Sequence, residues 1–244
     1  MIVDAHQHLG DCRVFDADIP EETVLRCVER HDLHRVLVMP FPGAEDPEGV
    51  HDRIAALGPA SDGRVRGIVN LNPHRDRAAY AAEAERCVRE LGFVALKLHT
   101  IGHAVEPDSR DGRTVFAEAR RLGVPVMIHT GGVGEPFASP AHCLPLAREF
   151  ADVTVVLAHA GMGVASRQAG IVARECPNVV LETSWCPVLD TAWLVSELGP
   201  ERIMLGSDAV ENLPVELAKF RALGLDDAAL ERCLSGTAIE VFGL

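Results

Sequence analysis

Five side chains of metal-ligand type sit where apolar runs of this chain end. His6 and His8 stand two apart in Val-Asp-Ala-His-Gln-His, His129 closes Val-Met-Ile-His, His159 closes Val-Val-Leu-Ala-His, and Asp208 ends Met-Leu-Gly-Ser-Asp. Residues i and i+2 of a strand share one face, so the imidazoles at 6 and 8 can address a single ion. Alone, an H-x-H is as readily a pair of ordinary histidines; the other three residues give it weight. Buried imidazoles beside a carboxylate need partners, because an unpaired buried charge costs on the order of several kcal/mol. One divalent cation would partner all of them. Nitrogen with carboxylate oxygen suits Zn2+ first, with Mn2+, Fe2+ or Co2+ also compatible. The competing reading is a hydrogen-bonded polar cluster that holds no metal.

Lys97 stands out on separate grounds. Lys97 and Lys219 are the only lysines among 23 basic residues, and Lys97 lies inside the apolar stretch 93–99. An ammonium there needs a partner. Three readings compete: an ion pair with Glu182 or another interior acid, a contact to substrate, or carboxylation to a carbamate bridging two metals. His99 shares the face of Lys97 nearer the strand end, either touching substrate or standing solvated. Further substrate contacts are expected from loops, at Arg13, 131–137, Arg167, Trp185 and Cys186. Gly131-Gly132-Val-Gly134 reads as an anion-cradling turn or an ordinary loop. Cys186 has no identifiable paired base and is not expected to be a nucleophile. His31, His34, His51, His74, His103 and His142 fall on expected helices or loops and are expected at the surface.

The elements that must position these residues are eight β-branched and apolar runs, at 2–8, 35–40, 65–72, 93–99, 124–130, 154–159, 179–184 and 202–207. Most are continuously apolar, as strands covered on both faces are. Helix signals lie between them. Pro20 opens one helix with Glu21 and Glu22 in its first turn; 78–91 ends at Gly92 and 113–122 at Gly123. Further helical patterns cover 140–150, 164–176, 191–198, 214–223 and 227–242. Such alternation means βα repeats. Eight units close into a parallel (β/α)8 TIM barrel, read here as a single domain over residues 1–244. An open doubly wound sheet is the alternative. In a parallel barrel all strand C-termini face one end, so the five ligand-type residues converge there without any local motif.

Bulk properties exclude several classes. The formal net charge is −13 with no basic block, which argues against nucleic acid and anionic membrane surfaces as partners. No apolar run has the length of a membrane span, and the first residues carry no signal-peptide pattern, so a cytoplasmic protein is expected. The seven cysteines are odd in number and scattered without a C-x-x-C, against a disulfide framework or thiolate zinc knuckle. G-x-S-x-G, H-E-x-x-H and G-x-x-x-x-G-K-[ST] are absent, which removes serine hydrolases, zincins and P-loop proteins.

The chain resembles the amidohydrolase superfamily, in its amidohydrolase-related branch. Asp4-Ala-His6-Gln-His8, Gly92-Phe-Val-Ala-Leu-Lys97-Leu-His99, Val126-Met-Ile-His129-Thr-Gly, Leu157-Ala-His159-Ala-Gly and Leu205-Gly-Ser-Asp208 carry the likeness over nearly its whole length. The closing helix follows the pattern except that Thr237 stands where asparagine is common. That branch contains small-molecule hydrolases and decarboxylases of the aminocarboxymuconate-semialdehyde and γ-resorcylate types. The resemblance implies a single metal on His6, His8, His129 and Asp208, with His159 as acid/base or, in some relatives, a further ligand. It implies hydrolysis of an amide, ester or lactone by metal-activated water, Asp208 taking the proton. Non-oxidative decarboxylation of an aromatic or unsaturated acid is the alternative on the same metal; a binding barrel without catalysis is a third. At 244 residues the chain is short for this branch, so an open mouth, or a second copy in a homo-oligomer that helps close it, is expected.

Overall fold

The apolar runs become strands that hide both faces. The structure, a computed structural model, describes residues 1–132 and 136–244. Its strands are β1 (Val3–Cys12), β2 (Ala17–Ile19), β3 (Arg35–Pro40), β4 (Val65–Asn70), β5 (Ala95–Leu98), β6 (Val126–His129), β7 (Val155–Ala158), β8 (Val179–Glu182) and β9 (Ile203–Met204), in the sheet order β2-β1-β3-β4-β5-β6-β7-β8-β9. Every neighbour from β1 through β3 to β9 is parallel; β2 alone is antiparallel, paired with the outer end of β1. Among the described residues the strands other than β2 number eight, as expected from the sequence.

The two ends of the sheet meet where β1 bonds the residues that follow β9. Ala5 N–H donates to Leu205 O at 3.1 Å, and Asp208 N–H donates to His6 O at 2.7 Å. The buried Asp4 carboxylate bridges the same seam, accepting from Ser207 N–H at 2.9 Å and Ser207 Oγ–H at 2.6 Å. The β1–β3 pairing shifts register between Asp4 and Gln7.

Alternation along each strand sorts the core into two parts. Leu37, Met39, Ile68, Ala95, Met127, Val156, Ala158, Val180 and Met204 form an inner cluster, joined by Ala238 and Phe242 of the last helix, α10 (Thr237–Phe242). Their sequence neighbours, such as Val36, Leu96, Ile128, Leu157 and Leu181, pack outward against the helices. Stepping by two from Ala95 gives Lys97 and His99, from Met127 gives His129, and from Val180 gives Glu182. The inner column is therefore apolar low in the barrel and polar at its C-terminal end.

The helices outside are α1 (Glu21–Arg30), α2 (Pro47–Ala60), α3 (Arg77–Arg89), α4 (Arg110–Leu122), α5 (Leu144–Glu149), α6 (Ser166–Glu175), α7 (Val188–Leu198), α8 (Leu213–Arg221) and α9 (Asp227–Glu231), before α10. Two elements escape the sequence pattern. The β1–β2 hairpin is one. Helix α2 is the other: its Gly49, Gly58 and Pro59 dilute the helical signal, although Pro47 sits in its first turn and Asp46 accepts from Gly49 N–H at 3.0 Å. His51 on α2 and His103 correct the surface expectation, because both are buried. Among the described residues no helix is long and apolar enough to cross a membrane.

Candidate metal centre

Three of the five ligand-type residues meet at one point. His6 Nε2 lies 3.2 Å and His8 Nε2 lies 3.3 Å from Asp208 Oδ1, and the ligand atoms of this trio all lie within 4.8 Å of one another. The opposite ring nitrogens are already engaged. His8 Nδ1 donates to Pro40 O at 3.1 Å, and His6 Nδ1 donates to the Glu182 carboxylate at 2.9 Å. In the neutral rings both Nε2 atoms are therefore bare lone pairs aimed at a carboxylate oxygen. The Lys97 ammonium, 3.2 Å from His6 Nε2, donates to one of these acceptors; His8 Nε2 and Asp208 Oδ1 still face each other, and the donor set suits a divalent ion.

His129 and His159 stand beside this point. His159 stacks on His6 with ring centroids 4.9 Å apart, and its Nε2 is 3.2 Å from His129 Nδ1. His129 Nε2 faces Gly131 O at 3.2 Å rather than joining the trio. His99 stacks on His129 at 4.5 Å; its Nδ1 accepts from Gly102 N–H at 3.0 Å, so its own proton is on Nε2. Lys97 is fully buried and its Nζ is 3.2 Å from His6 Nε2. Among the described residues Lys97 makes no ion pair with Glu182, whose carboxylate serves His6 instead.

Burial dominates the electrostatics. It pulls His6 and His129 well below the ordinary imidazole range and His159 down to about 4, so these rings rest neutral and hold open lone pairs. It also lowers Lys97 to about 8, against the opposing charges of Asp208 and Glu182. For Asp208 burial works the other way, but His159, His6 and His8 outweigh it and hold the carboxyl well below its usual range.

Asp208 is gripped from its far side. Its Oδ2 accepts from Trp185 Nε1–H at 2.8 Å. Both residues have left-handed backbones, with φ of 65° at Asp208 and 61° at Trp185. Helix α8 and the turn before it hold these two loops. Glu216 accepts from Trp185 N–H at 2.9 Å, Asn212 donates to Ser207 O at 2.9 Å, and Lys219 donates to Thr183 O at 2.6 Å and Cys186 O at 3.1 Å. The contacts of Glu216 and Lys219 join residues 31 to 36 positions apart, and nothing in the local sequence announces them.

A cavity of about 480 Å3 opens over these groups. His8, His99, His129, His159 and Asp208 form its polar floor, and Phe15, Ile19, Phe41, Met162 and Trp185 supply most of its apolar wall. Phe41 stacks on His8 at 4.6 Å. Phe15 and Ile19 come from the β1–β2 hairpin, so the strand that was not expected supplies a wall. Among the described residues no arginine or lysine lines the cavity. Arg13 lies outside it, largely exposed and paired with Glu45 at 2.6 Å, and Arg167 stacks over Trp193 at 3.9 Å. Cys186 is buried against Ser166. The turn read over Gly131–Gly134 lies partly outside the described residues.

The family model described as Amidohydrolase matches residues 3–244. Solved structures add a likeness of fold. A dihydroxybenzoic acid decarboxylase from Polaromonas sp. JS666, with bound manganese and the inhibitor 2-nitroresorcinol, is 19% identical with a TM-score of 0.77, covering 100% of this chain and 97% of the other. A putative amidohydrolase from Staphylococcus aureus is 16% identical with a TM-score of 0.77, covering 100% and 99%. A 5-carboxyvanillate decarboxylase from Sphingomonas paucimobilis is 15% identical with a TM-score of 0.75, again covering 100% and 99%. No curated protein sequence matches the chain.

Proposed function

This chain belongs to the amidohydrolase family, and from that premise we propose that it is a metal-dependent decarboxylase of a small aromatic or unsaturated carboxylic acid, working as one barrel domain. The resemblance in sequence put hydrolysis first. The observation that favours decarboxylation is the hydrogen bond from Trp185 Nε1–H to Asp208 Oδ2 at 2.8 Å. In hydrolysis that oxygen would have to take the proton of an attacking water. An indole N–H already donated to it lowers its basicity and fills its open side. Decarboxylation asks for no such proton transfer. The aromatic-walled cavity supports the same reading, and so does the likeness to two aromatic acid decarboxylases.

In this reading His6, His8, His129 and Asp208 hold one divalent cation. The manganese of the similar Polaromonas structure makes Mn2+ the first metal to test, ahead of Zn2+. When bound, the cation supplies positive charge that fixes the substrate carboxylate and draws electron density from the ring. With no basic side chain on the described cavity wall, the carboxylate has only that cation and the histidines to bind. His99, protonated on Nε2, is placed to donate to a substrate oxygen. Phe15, Phe41 and Trp185 flank the planar body of the substrate. The bond between ring carbon and carboxylate breaks with its electron pair left on the ring carbon, CO2 leaves, and one proton drawn from solvent is delivered to that carbon. We assign the delivery to His159, whose burial makes its protonated form a ready donor.

Product analysis of the Mn2+-loaded protein tests this. Incubated in D2O with a panel of hydroxybenzoates, it is expected to release CO2 and leave deuterium on the vacated carbon. Turnover of esters, lactones or amides with 18O from water entering the product, and no CO2 from any acid, would replace this reading with hydrolysis.

A further inference from the structure

We propose that Glu182 is a positioning residue that decides which ring nitrogen two ligand histidines turn to the metal, His6 directly and His129 through Ser184 and His159. The proposal rests on the metal site described above and adds to it a device of hydrogen bonds. Glu182 ends β8 and is fully buried, yet among the described residues it makes no ion pair with lysine or arginine. Its side-chain hydrogen bonds go to His6 and Ser184.

The chain of donors follows from what each group is able to give. A carboxylate only accepts, so His6 must donate its Nδ1–H across the 2.9 Å to Glu182 Oε2, which leaves Nε2 without a proton of its own, facing Asp208 and accepting from Lys97 Nζ at 3.2 Å. The same oxygen receives the Ser184 hydroxyl proton at 3.0 Å. A serine hydroxyl has one proton to give; having spent it, Ser184 Oγ can only accept from His159 Nδ1 at 2.6 Å. His159 is thereby protonated on Nδ1 and bare on Nε2. That bare nitrogen faces His129 Nδ1 at 3.2 Å and calls for a donor there, which we assign to Nδ1–H. His129 Nε2 is then bare as well, although its neighbour is the acceptor Gly131 O at 3.2 Å. Two acceptors in contact are what a cation at His129 Nε2 would relieve.

The carboxylate sits in a socket shaped for it. Ser184 N–H donates to Oε1 at 2.5 Å, and a Cβ added at Gly206 would lie 2.5 Å from that same oxygen. Every oxygen of Glu182 thus has a donor, and its rotamer is held from both sides. An amide of the same size does not satisfy this socket. Its NH2 end would oppose either Ser184 N–H or the two donors on Oε2.

The test compares Glu182→Gln and Ser184→Ala in the full chain with two readouts that need no turnover. One is Mn2+ binding by isothermal titration; the other is the 15N spectrum of labelled histidines, which distinguishes Nδ1–H from Nε2–H rings. Glu182→Gln is expected to weaken Mn2+ binding about 10–100-fold and to remove the Nδ1–H signal of His6. Glu182→Asp, which keeps the charge, should restore part of the affinity. Ser184→Ala should spare His6, alter the signals of His159 and His129, and cost less affinity than Glu182→Gln. Mn2+ affinity within about twofold of the parent, with all tautomers unchanged, overturns the proposal. Should Glu182→Gln fail to fold, Ser184→Ala decides alone, and an unchanged His159 signal overturns it. A protein that binds Mn2+ and shows these shifts but releases no CO2 would defeat the decarboxylase reading and leave this proposal standing.

Discussion

Asp208 divides its two oxygens between two tasks. Oδ1 meets His6 and His8 at 3.2 and 3.3 Å, and Oδ2 meets the Trp185 indole at 2.8 Å. Trp185→Phe keeps an aromatic wall and removes only the N–H. A hydrogen bond to a charged acceptor contributes about 1.5–3 kcal/mol, all of it made before substrate binds, so its loss is expected to lower kcat for decarboxylation by about tenfold or less, through a less firmly held Asp208. Metal content should stay unchanged, because the phenyl ring touches none of the ligand nitrogens. Steady-state kinetics with metal analysis checks this; an unchanged kcat would mean that the indole N–H takes no part. The ligand residues themselves were legible in the sequence, since each is a polar residue at the end of an apolar run. Trp185's grip on Asp208 was not, because two left-handed backbones 23 positions apart create it. Glu182 was visible only as one interior acid at the end of such a run. Its partners depend on how the strands stand around the ring.

At the scale of elements, the helices obey the end rules that the sequence displays. Gly123 closes α4 with φ 74° and open space where a Cβ would go. Gly123→Ala is expected to cost about 1 kcal/mol from backbone strain alone, measured as a shift in urea midpoint with the slope unchanged. Helix α2 illustrates what sequence reading misses. Its His51 is buried and bonded to Glu83 of α3 at 2.8 Å, a contact across 32 positions that makes a surface-like histidine part of the core. Burial alone would raise the Glu83 carboxyl, but hydrogen bonds from His51, Arg86 and Cys87 outweigh it and bring it from 4.5 to about 2. A depressed folded pKa stabilises the protein above the unfolded value, and that stability is lost as pH falls through the folded one. The parent chain should therefore lose melting temperature between about pH 4.5 and 2 more steeply than Glu83→Gln does. Parallel thermal melts across that window check it, and identical slopes would remove the role given to this cluster.

At the scale of the molecule, a ring of eight parallel strands turns scattered residues into one site. The seam matters as much as the strands. Asp4, Ser207 and the two backbone bonds that join β1 to the residues after β9 also place His6, His8 and Asp208 within reach of one another. A cation bound there ties the two ends of the ring together, so it should stabilise the whole fold. At a concentration of about 100 times Kd, a ligand specific to the folded state contributes about 2.7 kcal/mol. Chelation is accordingly expected to lower the melting temperature by several degrees, and Mn2+ to restore it. An unmoved melting temperature would say that the ends are held without metal.

The cation is what would hold this site together. Metal content of the purified chain by mass spectrometry, set beside Asp208→Ala and His6→Ala variants that remain folded, measures it in one step. We expect one divalent ion per chain in the parent and a large loss in both variants. Equal occupancy in all three would contradict the site built from His6, His8, His129 and Asp208.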